Sequence, residues 1–345
     1  MNVEAVKKGV NLVWAKGVPL EANWLRYLLR PLIRRELIAT QFEVVEPDSI
    51  YVVSGNRNLH VTIPRSFLNA VVGVHGKGLI HVGDEYFAGG YDVYRSFDFV
   101  LRTHHACWFK IIPEVFTFPL GWADGTPQRA ALKPIETRKN IWCFLGNHKV
   151  SSRAEMLRAL CQIKPHFVHS FDGATKESRQ MPPSEYHAVL EDTVFAPCPM
   201  GNAMLETWRF YESLEAGCIP IVEVRPWMHY HERLLGPHPI PTVYYWTQAE
   251  SLIEKLCKEP NELQALQQRV LNWWTKCKES NQFTINRFIS EKMGKRNGNG
   301  SISPVPSTSP LWPMRRMIEL LRHQSVMSAY RRARRPFAAL ASKRL

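Results

Sequence analysis

The chain has 345 residues, of which 45% are hydrophobic and 22% charged, a balance that suits two packed domains and excludes a small disulfide-stapled fold. Its formal net charge at pH 7 is +13, but nine cations and one acid lie between Met314 and the end, so most of the excess belongs to a C-terminal tail. A basic tail on a nearly balanced body does not indicate a nucleic-acid-binding domain, and nucleic acid is not an expected partner.

Several common sequence signals are missing. No apolar run approaches the roughly 20 residues that a membrane-spanning helix needs, and the charges scattered over residues 1–17 are atypical of a secretion signal. The seven cysteines are widely spaced without a C-x-x-C pair, so we expect buried free thiols in a reducing compartment. No set of histidine, cysteine or carboxylate residues has the spacing of a known metal site, so we expect no metal. These features predict a cytoplasmic protein, either free or peripheral on the inner face of a membrane.

The N-terminal half, 1–135, alternates predicted strands and helices, as in an α/β sheet. Apolar residues such as Trp24 and Leu28 recur at helical spacing, and Pro31 is expected to kink or break that helix. Short β-branched runs bounded by turn residues predict the strands. The predicted elements are a helix over 21–40, strands at 42–45, 49–54, 70–74, 79–82, 98–102 and 115–120, and a helix at 64–69.

Polar residues follow two of these strands, at the carboxyl ends where ligands collect in parallel sheets. Asp84 and Glu85 come after strand 79–82, and Arg102 and His104 come at the end of strand 98–102. A carboxylate or histidine at such a position can take a proton from a substrate hydroxyl, and the sequence does not choose between Asp84, Glu85 and His104. Polar residues after a buried strand are also the ordinary composition of a loop.

The C-terminal half, 136–290, shows the same alternation after a linker with proline and glycine at 121–137. Ser151 and Ser152 are expected to cap its first helix, which places Arg153 in the first turn. An arginine there opposes the helix dipole unless an anion is bound nearby, so Arg153 is a candidate phosphate ligand. The other predicted elements are strands at 141–145, 166–171 and 243–246, and helices at 183–190, 249–258 and 261–281.

The stretch 193–223 reads as a strand, a proline- and glycine-containing turn, a helix and a second strand. A turn at the carboxyl end of a parallel strand offers backbone N–H groups and the positive helix end to a diphosphate, and Gly201 and Asn202 lie in that turn. On the helix, Arg209 adds a bidentate cation and Glu212 is placed to accept hydrogen bonds from a ribose. The alternative is that Arg209 and Glu212 form a solvent-exposed ion pair without a ligand.

Several motifs resemble those of the exostosin-like glycosyltransferases. The RFYE tetrad at 209–212 is followed by the GCIPI run at 217–221 and preceded by Gly201 in its turn. Upstream, the segments 83–85, 100–102 and 119–121 resemble the ribitol xylosyltransferase branch of that family, so the likeness covers roughly residues 80–224.

The resemblance implies a GT-B architecture, which is an α/β fold of two Rossmann-like domains facing a cleft, with the acceptor in the N-terminal domain and the donor in the C-terminal one. It implies transfer of a sugar, with inversion, from a nucleotide diphosphate sugar, most of all a UDP-sugar, to a glycan, lipid-linked or polyol-phosphate acceptor. Because no D-x-D motif ends a strand, neither a metal nor a cofactor besides this co-substrate is expected. The residues implied are Arg153, the 199–202 backbone and Arg209 for the diphosphate, Glu212 for the ribose and Arg102 for the acceptor.

Residues 291–345 are predicted to contain a flexible linker at 295–310 and a basic tail that carries an interrupted amphipathic helix. Such a tail suits an anionic membrane surface, an RNA or no partner at all. One alternative function is therefore a non-catalytic nucleotide-binding module that docks on membrane or RNA through its tail, and another is an enzyme of different chemistry, such as a sugar-nucleotide epimerase. The presence of both Arg209 and Glu212 favours catalysis over a degenerate binding module.

Overall fold

The computed structural model describes residues 9–127, 132–171, 181–294 and 311–324. The chain divides into two compact units, the first formed by Met1–Asp124 with Thr275–Arg316 and the second by Gly125–Trp274 with Met317–Leu345. Each unit is built on one sheet of parallel strands accompanied by helices, so the predicted α/β class is confirmed.

The first unit contains a six-stranded sheet. In chain order its elements are β1 (Val10–Trp14), α1 (Ala22–Leu29), β2 (Ile33–Ile38), β3 (Ser49–Ser54), α2 (Leu59–Thr62), α3 (Arg65–Val72), β4 (Lys77–Val82), β5 (Phe99–Arg102) and β6 (Val115–Thr117). The strands lie in the order β2-β1-β3-β4-β5-β6, and all neighbouring pairs are parallel. β1, β4 and β5 are buried along their whole length, as expected of the inner strands of a parallel sheet.

Four of the predicted strands of this unit are confirmed as β3 to β6, and so is the break expected at Pro31, but the helix predicted beyond Pro31 and two other predicted strands are wrong. The helix predicted over 21–40 ends at Leu29, because Pro31 cannot continue it and residues 33–38 pair with β1 as an edge strand. The segment 42–45 is irregular, and the strand predicted at 70–74 is the end of α3 and the turn after it. β1 is not among the predicted elements, although it lies inside the sheet.

The second unit contains a five-stranded sheet. Its elements are β7 (Asn140–Asn147), α4 (Arg153–Leu160), β8 (His166–Phe171), α5 (Pro183–Glu191), β9 (Thr193–Cys198), α6 (Trp208–Glu215), β10 (Ile219–Glu223), α7 (Tyr230–Leu235), β11 (Thr242–Val243) and α8 (Trp246–Lys258). The strands lie in the order β11-β10-β9-β7-β8, and all neighbouring pairs are parallel. The chain steps from β7 to β8 and then returns to the other side of β7 as β9. The carboxyl ends of β7 and β9 therefore form a topological switch point, where open α/β sheets bind their ligands.

The strand-helix-strand unit predicted in 193–223 is confirmed as β9, α6 and β10. Gly217 ends the helix with a φ of +72°, the left-handed conformation that the sequence predicts for it. α6 begins only at Trp208, so the connection after β9 is longer than predicted. β11 has two residues, because Trp246 already begins α8, and α7 is not among the predicted elements.

The last two described helices are α9 (Pro260–Gly294) and α10 (Trp312–His323). From Thr275 onward α9 belongs to the first unit, where the Asn286 side chain donates a hydrogen bond of 2.8 Å to the carbonyl oxygen of Leu28. The units therefore differ from the predicted boundaries of 1–135, 136–290 and 291–345. The predicted linker at 295–310 and the tail after Gln324 lie outside the described residues.

Three expectations from composition bear on the chemistry. In the part of the chain that the structure describes, no helix is long and apolar enough to cross a membrane, and no three histidine, cysteine or carboxylate side chains come together as metal ligands. All seven cysteines are free thiols, and four of them are buried. Burial raises the pKa of Cys198 to about 12 and that of Cys218 to about 11, so both thiols are protonated and unreactive at neutral pH.

Candidate functional site

The switch point of the second unit is closed by a side chain from α6. Arg209 is half-buried, and its Nη2 donates a 2.5 Å hydrogen bond to the carbonyl oxygen of Leu145 in β7. Its guanidinium carbon lies 4.6 Å from the centre of the Phe144 ring. Gly146, with a φ of +148°, permits this approach, since a Cβ there would come within 2.6 Å of Nη2. β7 therefore fixes Arg209 at the carboxyl edge of the sheet.

Four buried side-chain atoms in the segments that follow β7 and β9 have no hydrogen-bond partner among the described residues. They are Nδ1 of His148, directly after β7, and Oγ1 of Thr207, Nε1 of Trp208 and Nε of Arg209, at the start of α6. Thr207 is the N-cap of α6, but its side chain makes no capping bond. A buried polar group without a partner costs about 1–3 kcal/mol. Four such atoms in the segments that follow β7 and β9 make these segments a candidate site for a polar ligand.

Glu212 lies one turn farther along α6. It is buried and accepts a 2.6 Å hydrogen bond from the hydroxyl group of Tyr186 in α5. Burial and the neighbouring carboxylate raise the pKa of Tyr186 well above its ordinary value, so this hydroxyl remains protonated and keeps donating to Glu212. A solvent-exposed pair of Arg209 with Glu212 does not fit this burial.

Arg153 is the first residue of α4, as predicted, and it is buried. Its Nη1 donates to the carbonyl oxygen of Asn147 at 2.9 Å, and its Nε donates to that of Met200 at 3.3 Å. The Ser151 hydroxyl donates to the same Met200 oxygen at 2.8 Å. Arg153 therefore joins the turn after β7 to the loop after β9, which is a positioning role for the two sides of the switch point.

The loop after β9 offers less free backbone than the sequence predicts. The N–H of Gly201 already donates to the carbonyl oxygen of Met204 at 2.8 Å, and Asn202 is exposed. Because α6 begins at Trp208, the first N–H groups of the helix follow Thr207 rather than Asn202. The amino-terminal end of this helix is therefore formed by residues 207–209.

Glu223, a residue that the sequence interpretation missed, fixes the loop after β9. The donors to its buried carboxylate are the Ser152 hydroxyl, the Met200 N–H at 3.0 Å, Trp246 Nε1 at 3.1 Å and Arg225 Nη2 at 2.8 Å. Ser152 consequently makes no side-chain cap on α4, contrary to the prediction. The available signal was a carboxylate ending the otherwise apolar strand IPIVE.

In the first unit, the predicted residues Asp84 and Arg102 pair with each other in the interior. Arg102 Nη2 lies 3.2 Å from Asp84 Oδ2, and both side chains are fully buried. Asp84 also accepts the Ala88 N–H at 2.8 Å and the Tyr91 hydroxyl. The Arg102 guanidinium carbon lies 3.8 Å from the centre of the Phe109 ring. The pair joins the carboxyl ends of β4 and β5, and neither partner presents its charge to solvent.

The other two candidate bases belong to the same carboxyl edge. Glu85 is partly exposed. Its N–H donates to Asn56 Oδ1 at 2.8 Å, and Asn56 Nδ2 donates to Glu85 Oε1 at 3.4 Å. His104 is buried and has a φ of +61°, which is uncommon for a residue other than glycine. Of the three candidate bases, Glu85 is the one that solvent reaches.

Two sheets of parallel strands, with polar side chains collected at a switch point, define the class as the GT-B glycosyltransferase architecture. The crystal structure of an α1,3-fucosyltransferase aligns with a TM-score of 0.51 and 10% sequence identity, covering 87% of this chain and 93% of that chain. T4 phage BGT in complex with UDP and Mn2+ aligns with a TM-score of 0.45 and 11% identity, covering 81% and 99%. At such identities the likeness shows the fold alone. No curated protein sequence matches the chain.

Residues 126–293 match the family model described as the RXYLT1 C-terminal domain. The matched region contains β7 to β11, and with them Arg153, Arg209 and Glu212. Residues 126–293 are therefore similar to that domain family, and the predicted resemblance of the chain to the ribitol xylosyltransferase branch of the exostosin-like glycosyltransferases is confirmed.

Proposed function

We propose that the protein transfers a sugar from a nucleotide diphosphate sugar, in the first place a UDP-sugar, to a glycan, lipid-linked or polyol-phosphate acceptor. The observation that carries this proposal is the buried Nε of Arg209, which has no hydrogen-bond partner among the described residues, together with the unpartnered atoms of His148, Thr207 and Trp208 in the segments that follow β7 and β9. A diphosphate supplies acceptor oxygens for the arginine, hydroxyl and indole donors and negative charge for the guanidinium group.

Arg209 is the central catalytic residue of the proposed mechanism. When the bond between the anomeric carbon and the diphosphate breaks, negative charge develops on the leaving oxygen, and a fixed guanidinium group stabilises it. We propose that this stabilisation needs no metal ion. Glu212 accepts a hydrogen bond from a ribose hydroxyl, and Arg153 acts through the loops that it holds.

The first unit supplies the general base in this proposal. Because both oxygens of Asp84 already accept hydrogen bonds inside the protein, we assign the role to Glu85 ahead of His104 and Asp84. Glu85 takes the proton of the acceptor hydroxyl, whose oxygen attacks the anomeric carbon as the diphosphate leaves from the opposite side. The configuration inverts, so an α-linked donor gives a β-linked product.

The test is release of the free nucleoside diphosphate from a panel of nucleotide sugars, in buffer that contains EDTA. We compare the natural chain with Arg209→Ala and with Arg269→Ala, whose arginine forms an exposed ion pair with Glu262 on α9. Turnover with one nucleotide sugar should fall roughly 10²- to 10³-fold in Arg209→Ala and stay unchanged in Arg269→Ala.

Three results would separate the proposal from its alternatives. Activity that EDTA abolishes and a divalent ion restores would contradict metal independence. Nucleotide binding without turnover of any donor, in the presence of candidate acceptors, would favour a non-catalytic module. A product that keeps the donor configuration would exclude Glu85 as the base of a single displacement.

A further inference from the structure

Unlike an ordinary surface helix, α10 buries polar side chains against the protein and exposes apolar ones to solvent. Glu319 and His323 are only 3% and 0% exposed. The large apolar residues exposed between 48% and 56% are Leu311, Met314, Met317, Ile318 and Leu321. With 3.6 residues per turn, these five positions form one continuous stripe, which we call the α10 stripe.

Polar contacts hold the end of the helix in this orientation. The Leu205 N–H donates to Nδ1 of His323 at 3.2 Å, and Arg225 Nε donates to the His323 carbonyl oxygen at 2.9 Å. Trp227 Nε1 donates to the carbonyl oxygen of Arg322 at 3.0 Å. The side that carries His323 therefore faces the protein, and the α10 stripe is directed to solvent.

The charges that α10 exposes have one sign. Arg315 is exposed and Arg322 is partly exposed, whereas the one acid of the helix, Glu319, is buried and pairs with Arg322 at 3.1 Å. The sequence from 325 to 345 adds six cations and no acid. Trp227, beside the last turn, is 44% exposed and amphipathic.

We propose that the α10 stripe docks the protein on an anionic lipid bilayer, with the helix lying along the membrane surface and its apolar side chains inserted among the acyl chains. An apolar stripe flanked by arginines is the composition that binds such a surface, because apolar burial and attraction to anionic headgroups act together. Trp227 lies where interfacial tryptophans are favoured. This inference does not depend on the donor site, and it assigns the docking to described residues rather than to the tail.

Other occupants fit the stripe less well. RNA would pair with the arginines but leave the apolar residues in water. A second copy, packed antiparallel on the same stripe, would bring the edges that carry Arg315 and Arg322 next to each other, and like charges repel.

The experiment is co-sedimentation of the full chain with vesicles of phosphatidylcholine alone or of phosphatidylcholine with phosphatidylserine, at physiological ionic strength. The test variant is Ile318→Glu with Leu321→Glu. The control is Ile111→Glu, which changes an apolar residue of the first unit that is 78% exposed. Because all three positions are exposed, each variant should keep the unfolding temperature of the natural chain.

We expect the natural chain and Ile111→Glu to bind the anionic vesicles and not the neutral ones. The double variant should bind the anionic vesicles at least roughly tenfold more weakly. Equal binding by the double variant would overturn the proposal and assign attachment to the basic tail alone. Failure of the natural chain to bind, or a dimer of the natural chain that the double variant dissociates, would also overturn it.

Discussion

The carboxyl edges of the two sheets differ in how completely their buried polar side chains are hydrogen-bonded within the protein. In the first unit, the charged side chains that follow the strands satisfy one another, as Asp84 and Arg102 do in the interior. In the second unit, Arg209 keeps a buried Nε without a partner among the described residues, and Thr207 keeps a buried hydroxyl in the same condition. The buried charged pair of the first edge therefore completes its own hydrogen bonds, whereas Arg209 and Thr207 at the second edge each keep a buried polar atom without one among the described residues.

We propose that this difference separates structural polar residues from ligand-binding ones better than their position in the fold does. Both sets lie at the carboxyl ends of parallel strands, where ligands are expected. A buried polar atom lowers stability unless something satisfies it. Where the protein supplies no hydrogen-bond partner for such an atom, a bound ligand can supply it. The new hydrogen bond then offsets the free-energy cost of burying the polar atom.

The largest effect predicted from this comparison is on stability in the first unit. Arg102→Leu leaves the carboxylate of Asp84 buried without its cation, so the unfolding free energy should fall by about 3–5 kcal/mol. Arg209→Leu removes the donor to the Leu145 carbonyl oxygen but leaves no paired carboxylate of the Asp84 kind, so it should cost less, about 1–2 kcal/mol. Urea unfolding of both variants measures the contrast.

Arg102→Leu combined with Asp84→Leu serves as the control. Because it removes both buried charges, it should recover a large part of the loss. Equal destabilisation by Arg102→Leu and Arg209→Leu would mean that both edges are structural, and the distinction between them would fail.

The sequence predicted the second edge better than the first, for a physical reason. β7 and β9 of the second unit contain the apolar runs IWCFL and VFA, which end at glycine and proline, so they could be recognised locally. β2 could not, because the charged run IRRELI becomes a strand only by pairing with β1. Arg209 was identified by its motif, whereas the partners that distinguish it from Arg102 depend on tertiary contacts. Glu223 was missed for the same reason, since three of its four donors, Ser152, Met200 and Trp246, come from distant segments.

A second prediction concerns a buried histidine in each unit. Burial lowers the pKa of His81 to about 4 and that of His231 to about 3. The unfolded chain protonates these residues near pH 6.5, so their contribution to stability is complete above that pH and is lost as the pH falls. Each histidine should remove about 1.4 kcal/mol of unfolding free energy per pH unit below 6.5 until its folded pKa is reached.

His231→Phe tests this contribution in the second unit. Both ring nitrogens of His231 lack a hydrogen-bond partner among the described residues, whereas His81 Nδ1 bonds the Tyr94 hydroxyl at 2.8 Å. His231→Phe should therefore be nearly neutral at pH 7.5 and more stable than the natural chain by about 2–3 kcal/mol at pH 4.5. Urea unfolding at the two pH values decides, and an unchanged pH slope would contradict the burial of a neutral His231.

A third prediction concerns the space that Gly146 leaves for the guanidinium group. In Gly146→Ala, the new methyl group would lie 2.6 Å from Nη2 of Arg209, so the flexible end of the arginine must move. UDP affinity, measured by calorimetry, should fall roughly tenfold, because the displaced donor no longer points at the phosphate site. Gly236→Ala is the matched control, since Gly236 also has a positive φ, +77°, but nothing within 4 Å of the added Cβ. If both variants keep full affinity, Arg209 does not need the position that β7 gives it.

The smallest predicted effect comes from removing one hydroxyl group. It is the most direct test of the contrast between polar atoms with and without a hydrogen-bond partner. Thr207→Val removes an Oγ1 that has no partner among the described residues, so the free protein should be as stable as the natural chain or up to about 1 kcal/mol more stable. UDP binding should nevertheless weaken by about 0.5–1.5 kcal/mol, because the ligand loses one hydrogen bond.

Thr193→Val makes the same chemical change where the hydroxyl is satisfied, since Thr193 Oγ1 donates to the carbonyl oxygen of Val189 at 2.7 Å in the interior. This variant should lose about 1 kcal/mol of unfolding free energy and keep its UDP affinity. If the unpartnered atoms bind a ligand, the two isosteric substitutions therefore have opposite effects. Thr207→Val weakens UDP binding and keeps stability, whereas Thr193→Val lowers stability and keeps UDP binding. A stability loss in Thr207→Val that matches that of Thr193→Val would show that its hydroxyl is satisfied in the free protein, and the second edge would then be no more prepared for a ligand than the first.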